Sequence, residues 1–165
     1  ITALTLSGLS TRRFAFEAFL PPDKKERKAI LEELKSETRT IILYEAPHHL
    51  VGTLEELYQV LGNRRMTLCR ELTKKHETAF RTTIQELINF YKDQKPLGEC
   101  VLVIEGRSRK EMEQESQESW KDISIEEHMA IYENQGIARK DAMKMVAKDR
   151  GVTKRDIYQA LLELK

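Results

Sequence analysis

The sequence predicts an α/β fold, with helices packed on a sheet, followed by a small helical appendage of helix-turn-helix outline. Three observations lead there. Strand-like and helix-like segments alternate over residues 12–107. A polar stretch without apolar period interrupts them at residues 108–122. From residue 123 to 165 every apolar pattern is helical.

The elements follow in order. "ITALTLSGLS" reads as the end of an amphipathic helix closed by Gly8. It lacks a front and an initiating methionine, which leads us to expect a piece of a longer protein. "RRFAFEAFLPP" reads as a strand with Phe14 and Phe16 on one face, stopped by the double proline. "DKKERKAILEELKSE" has helical spacing, with Ala29, Ile30 and Leu34 expected inward. "RTIILYEA" is apolar almost throughout, as a central strand would be. "HHLVGTLEELYQVLGN" is a helix with Leu54, Leu57, Val60 and Leu61 on one face, stopped by Gly62. "RRMTLCREL" is a third strand, "TTIQELINFYKDQ" a third helix, and "GECVLVIEG" a fourth strand closed by Gly106.

"RSRKEMEQESQESWKD" reads as a linker, partly helical, with Trp120 anchoring its far end. "SIEEHMAIYENQG" opens on a capping box, Ser124 with Glu127, and stops at Gly136. "ARKDAMKMVAKDR" is a helix with Ala142, Met145 and Val146 expected inward. Gly151 makes a turn, and Thr153 caps a last helix with Ile157, Leu161 and Leu164 inward.

The totals exclude several classes. Of 165 residues, 40% are hydrophobic and 33% charged, a globular rather than a disordered balance. A net charge of +1 gives no global field toward nucleic acid, so a basic surface must come from local segregation. Two cysteines, Cys69 and Cys100, are too few for a disulfide framework and point to reduced thiols in a cytoplasmic protein. No apolar run spans a bilayer. The four histidines, His48, His49, His76 and His128, show no metal-ligand spacing, and no metal is expected. Neither a GxGxxG nor a Walker sequence is present.

Polar chemistry collects at strand ends. Glu45-Ala-Pro-His48-His49 follows the second strand, and Arg70-Glu71-Leu72-Thr73-Lys74 the third. Gly98-Glu99 precedes the fourth. Ligands of open α/β sheets bind outside the carboxyl ends of strands. One such loop is commonly just polar surface; two together favour a site. The charge run from Pro22 to Lys28 reads as a solvated helix face. In the last helices Lys140, Lys144 and Lys148 share a stripe, and Lys154 and Arg155 open the final helix. RNA or DNA contact is expected there.

The blocks "RRFAFEAFLPPDKKERKAILEELKSETRTIILYEAPHHL", "RELTKKHETAFRTTIQEL" and "GECVLVIEG" closely resemble the C-terminal part of the ribosomal RNA small subunit methyltransferase I family. That family lies within the tetrapyrrole (corrin/porphyrin) methylase superfamily. "RKDAMKMVAKDRGVTKRDIYQALLE" is similar to the helical appendage of many members. The resemblance implies a mixed sheet with flanking helices over 12–107, after the end of an interdomain helix at 1–11. Residues 108–122 would be a linker and 123–165 an RNA-contacting appendage.

By resemblance, S-adenosylmethionine would sit between this part and an N-terminal domain not represented in the chain. The reaction implied is 2′-O-methylation of a cytidine in bacterial 16S rRNA of the small ribosomal subunit, by a homodimer. The chain alone would then be inactive. Cofactor contacts are expected by position at Tyr44, Glu45, Arg70, Glu71, Leu72, Gly98 and Glu99. Glu45, His48 and Glu71 are candidates for the general base, unassigned among themselves. Imidazole is the side chain best matched to proton transfer near neutral pH. Lys74 and Arg81 are expected on RNA phosphates.

Two departures stand out. The family pattern Pro-His-Arg is here Pro47-His48-His49, which removes a bidentate phosphate clamp. Its Arg-Gly is here Arg81-Thr82. A tetrapyrrole-type methylase acting on a small molecule, and a non-catalytic nucleic-acid-binding module, are the alternatives. The basic tail argues against the first, and cofactor binding would exclude the second.

Overall fold

The structure is a computed structural model, and it describes residues 1–163. The chain divides into two compact units, Ile1–Arg107 and Ser108–Lys165.

The first unit runs α1 (Thr2–Ser7), β1 (Phe14–Phe19), α2 (Lys24–Lys35), β2 (Thr40–Glu45), α3 (Leu50–Leu61), β3 (Arg65–Arg70), β4 (Thr78–Thr83), α4 (Ile84–Phe90) and β5 (Cys100–Ile104). Its sheet is mixed, in the order β1-β2-β5-β3-β4. β1 and β2 are parallel, while β5 is antiparallel to both β2 and β3, and β4 antiparallel to β3. The three parallel-running strands β1, β2 and β3 therefore end at one edge, where β4 and β5 begin.

Period-two alternation divides the apolar residues between two faces. Ile41, Leu43, Met66, Leu68, Leu102 and Ile104 meet α2, α3 and α4 in the main core. Leu54 and Leu57 of α3 are fully buried there, each worth about 1.5–3 kcal/mol of transfer free energy. Ile42, Cys69 and Val103 point the other way, onto Ala3 and Leu4 of α1. Carbonyls at the α1 C-terminus find side-chain donors across the sheet: Thr67 Oγ1 donates to Ser7 O at 2.9 Å and Arg81 Nη2 to Leu6 O at 2.6 Å.

Some details differ from the pattern expected. Ala29 faces solvent, and Leu31 takes its place in the core. The segment Ala46–His49 is a turn, so α3 starts at Leu50 rather than at the proline. The strand β4 was absent from the pattern because it is an edge strand, exposed and polar, with no buried residue.

The second unit holds α5 (Arg109–Ser119), α6 (Ile125–Glu133), α7 (Arg139–Arg150) and α8 (Lys154–Glu163). The segment read as a linker thus contains a helix, opened by a capping box of Ser108 with Glu111 and burying none of its own side chains. Met129, Ala142, Val146, Ala147, Ile157 and Leu161 form the core. Met145 is exposed, and Met143 packs instead. Leu164 lies outside the described residues. Gly151 closes α7 in the left-handed conformation, and a Cβ there would strike the Gln117 amide of α5.

A polar network lies inside this unit. His128 is fully buried, stacked on Trp120 with ring centroids 3.9 Å apart. Arg150 Nε donates to His128 Nδ1 at 3.2 Å, so the ring proton sits on Nε2, which faces Asp149 Oδ2 at 3.2 Å. Tyr132 donates its hydroxyl to the same carboxylate at 2.5 Å. Arg150 also donates to the carbonyls of Ile123 and Ser124. It is a structural cation, not a member of the basic surface.

Burial, then the Arg150 charge, holds the His128 pKa below its ordinary value. The hydrogen bond to Asp149 pushes Tyr132 up to about 12. The unfolded chain therefore takes up the histidine proton first as pH falls, and loses the tyrosine proton first as pH rises. Stability of this unit is predicted to fall below about pH 6.5 and again above about pH 10. Trp120 is the only tryptophan and stands on His128, so urea titrations followed by its fluorescence check this. His128→Phe should flatten the acid side; an unchanged acid limb in that variant would refute the assignment.

Candidate functional site

The three segments singled out at strand ends converge at the same sheet edge. Glu45 pairs with Cys100, and Cys100 with Arg70, so the ends of β2 and β3 flank the start of β5 in direct register. Residues far apart in the chain become neighbours because β5 is inserted between β2 and β3.

Tyr44 and Glu45, adjacent on β2, point to opposite faces. Tyr44 is exposed on the α1 face, in edge contact with Phe16 at 5.1 Å and Phe19 at 5.6 Å between centroids. Phe16 and Phe19 share that face only because a bulge shifts the register between Phe16 and Ala18. Two hollows meet at Tyr44 and Val101. One, of about 330 Å³, is walled by Phe14, Phe16 and Leu72; the other, of about 500 Å³, by Phe19, Glu45, Ala46 and Glu99. Together they make a trough with an apolar, aromatic floor, open to solvent.

Glu45 belongs to the other face. It is buried, and its carboxylate accepts from Thr53 Oγ1 at 2.5 Å and from its neighbour's backbone, Ala46 N, at 2.7 Å. Arg27 Nη2 donates to Thr53 Oγ1 at 2.8 Å, and Arg27 Nε to Glu56 at 2.6 Å. This chain of bonds ties α2, α3 and the end of β2 together. Its carboxylate is occupied in holding the β2–α3 corner.

Glu71 braces the neighbouring corner. Its carboxylate accepts from Glu99 N at 2.8 Å, and Lys74 reaches both Glu71 (3.5 Å) and Glu99 (3.0 Å). The Glu99 N–H, with help from Lys74, holds the Glu71 carboxyl below the ordinary carboxylate range. Arg70 Nε donates to Leu97 O at 2.8 Å. Gly98 sits at φ 79° with the Glu71 carboxylate where a Cβ would be, 2.5 Å away. Only glycine satisfies both demands.

His48 and His49 are exposed in the turn after β2, their rings 4.1 Å apart. Lys74 and Arg81, expected on phosphates, are engaged within the fold: Lys74 with the two glutamates, Arg81 with the α1 carbonyl. Thr82 lies in regular strand pairing with Met66, which explains why no glycine is needed there. Burial pushes the Cys69 and Cys100 thiols up to about 11, so neither is a ready nucleophile.

One feature of this edge had no sequence signal. Ala18, Glu71 and Thr73 are the described non-glycine residues with positive φ, at 52°, 49° and 64°. All three lie at the carboxyl ends of β1 and β3. Such conformations cost of order 1–3 kcal/mol each and collect where a fold has a task besides stability.

In the second unit Lys140, Lys144 and Lys148 lie exposed on α7. Lys144 pairs with Asp141 at 2.8 Å, and Lys140 and Lys154 are within electrostatic reach of that carboxylate. Arg155 is exposed and Lys154 half-buried at the start of α8. The two helices thus pool their cations in one basic cluster.

Residues 2–88 match the family model of the tetrapyrrole (corrin/porphyrin) methylases. The chain is 43% identical over 158 residues to ribosomal RNA small subunit methyltransferase I of Halalkalibacterium halodurans, covering 96% of this chain and 54% of that protein. It is 42% identical over 160 residues to the protein of that name from Bacillus subtilis, covering 97% and 54%. With the one from Synechocystis sp. it shares 41% over 166 residues, covering 100% and 58%. The chain spans about half the length of the curated relatives it matches. With the mixed sheet and its flanking helices, these matches show that the chain belongs to the tetrapyrrole (corrin/porphyrin) methylase family.

Proposed function

We propose that this chain forms one wall of the cleft of an S-adenosylmethionine-dependent enzyme that methylates the 2′-hydroxyl of a cytidine in 16S rRNA of the small ribosomal subunit. The observation that carries the reading is the aromatic trough at the strand-end edge, where Tyr44, Leu72 and Val101 meet. The relatives named ribosomal RNA small subunit methyltransferase I support the substrate class. Within this reading the complete protein is a cytoplasmic homodimer and this chain alone is inactive, expectations that rest on the family resemblance.

The trough suits the cofactor chemically. Its apolar floor accepts a flat heterocycle and ribose, and the Tyr44 ring face attracts the positive charge of a sulfonium. When bound, S-adenosylmethionine supplies an electrophilic methyl group. The protein's task is alignment and removal of one proton. Tyr44 and Leu72 hold the cofactor side. Glu45 and Glu71 keep the two corners rigid through the bonds already described, and Gly98 with Glu99 forms the rim between them. Of the three base candidates, His48 alone makes no side-chain hydrogen bond or ion pair among the described residues, so His48 takes the 2′-hydroxyl proton. Phosphate contacts fall to Lys140, Lys144, Lys148, Lys154 and Arg155, since Lys74 and Arg81 are tied within the fold.

The test uses a chain extended to the relatives' full length, with purified small ribosomal subunits as methyl acceptor. His48→Ala is expected to lower kcat by about 10²–10⁴-fold while leaving cofactor affinity intact. Tyr44→Ala should weaken cofactor binding, read by calorimetry, while circular dichroism shows the chain still folded. Retention of full activity by both variants would sink the proposal. Gly98→Ala should lower stability by at least about 1 kcal/mol and weaken cofactor binding with it, because Glu71 and Glu99 must move apart. An unchanged urea midpoint in that variant would contradict the packing argument.

A further inference from the structure

We propose that Tyr158 is a stacking platform for an unpaired RNA base, held there by the cations beside it. The inference rests on the RNA reading of the helical unit and adds the form of RNA it takes. The inner stripe of α8 is already filled: Ile157 and Leu161 are buried against Met129, Ala142 and Val146. Tyr158 and Leu162, one turn apart on the outer side, are 54% and 52% exposed. Among the described residues the Tyr158 ring has no aromatic partner and its hydroxyl no hydrogen bond.

The neighbouring charge says what covers it. Arg155 precedes Tyr158 by three residues and shares its exposed stripe, and Lys154 lies one turn back. The aspartates of α7 and α8 are all engaged, Asp141 with Lys144, Asp149 with His128 and Tyr132, and Asp156 with the backbone and hydroxyl of Thr153, while Glu163 is exposed at the far end of α8 from Lys154 and Arg155. Lys140, Lys148, Lys154 and Arg155 have no ion-pair partner among the described residues. An exposed aromatic ring one turn from Lys154 and Arg155, neither of which makes a close ion pair among the described residues, fits a polyanion with flat, apolar faces. A-form duplex RNA keeps its bases stacked inside, so the ring is available only to an unpaired base.

The experiment measures anisotropy of a labelled single-stranded RNA and of the matching duplex, titrated with the full chain at several salt concentrations. Tyr158→Ala should weaken single-strand binding roughly tenfold, spare duplex binding, and leave the salt slope unchanged. Tyr158→Phe should bind like the parent. The double variant Lys154→Ala/Arg155→Ala should weaken both forms and reduce the salt slope. Circular dichroism and Trp120 fluorescence confirm that each variant is folded. Single-strand binding unchanged in Tyr158→Ala, with the double variant impaired, overturns the stacking role and leaves the RNA reading standing. No RNA binding by the parent chain overturns both. Loss of self-association in Tyr158→Ala by sedimentation, without any change in RNA affinity, would make the face a protein contact and likewise overturn the proposal.

Discussion

The structure of the first unit depends on the place of β5. It is the last strand of that unit in the chain, yet it lies in the middle of the sheet, antiparallel to β2 and β3. Its Cys100, Leu102, Val103 and Ile104 are buried, supplying both faces with apolar contact. This one insertion sets the register Glu45–Cys100–Arg70 and brings together three loops that are distant in sequence. Without it the edge would carry two unrelated polar corners.

Each corner is then fixed by its own polar bonds. Thr53, itself bonded by Arg27, holds Glu45, and the Glu99 backbone and Lys74 hold Glu71. Buried or half-buried carboxylates need such partners. The consequence is a division of labour: the carboxylates stiffen the edge, and the aromatic face above them stays open. The left-handed residues Ala18, Glu71 and Thr73 shape the same rim. Strain, rigid corners and an uncovered apolar floor coincide there, features that tend to collect at functional sites.

Much of this was legible in the residues, and the exceptions have physical causes. β2 and β5 announced themselves as apolar runs because both their faces are covered. β4 did not, because an edge strand with one bonded neighbour and a solvated face needs no apolar pattern. The helix α5 is held by its Ser108–Glu111 capping box and by contacts at its far end, where Trp120 meets His128, so it shows no apolar period either. The candidate segments were chosen by their position at strand ends, and which way each side chain faces follows only from the strand register. The resemblance expects both Tyr44 and Glu45 on the cofactor; strand alternation turns them to opposite faces, and both still line the hollow beyond the end of β2. The commitment of Arg81 to Leu6 O joins residues 75 positions apart, and local sequence carries no sign of it. His128 looked like any histidine on a helix; its role exists only through Trp120, Asp149 and Arg150.

In the proposed function the cofactor meets the face of this edge that carries Tyr44, not the face packed by α2, α3 and α4. Methyl-resolved NMR of the chain extended to its relatives' length, titrated with S-adenosylmethionine, tests it most directly. Shifts are expected at Ile42, Leu72 and Val101, with Ile41, Leu43 and Leu102 on the opposite face nearly still. Shifts concentrated on those latter three, or none on either face, would contradict it.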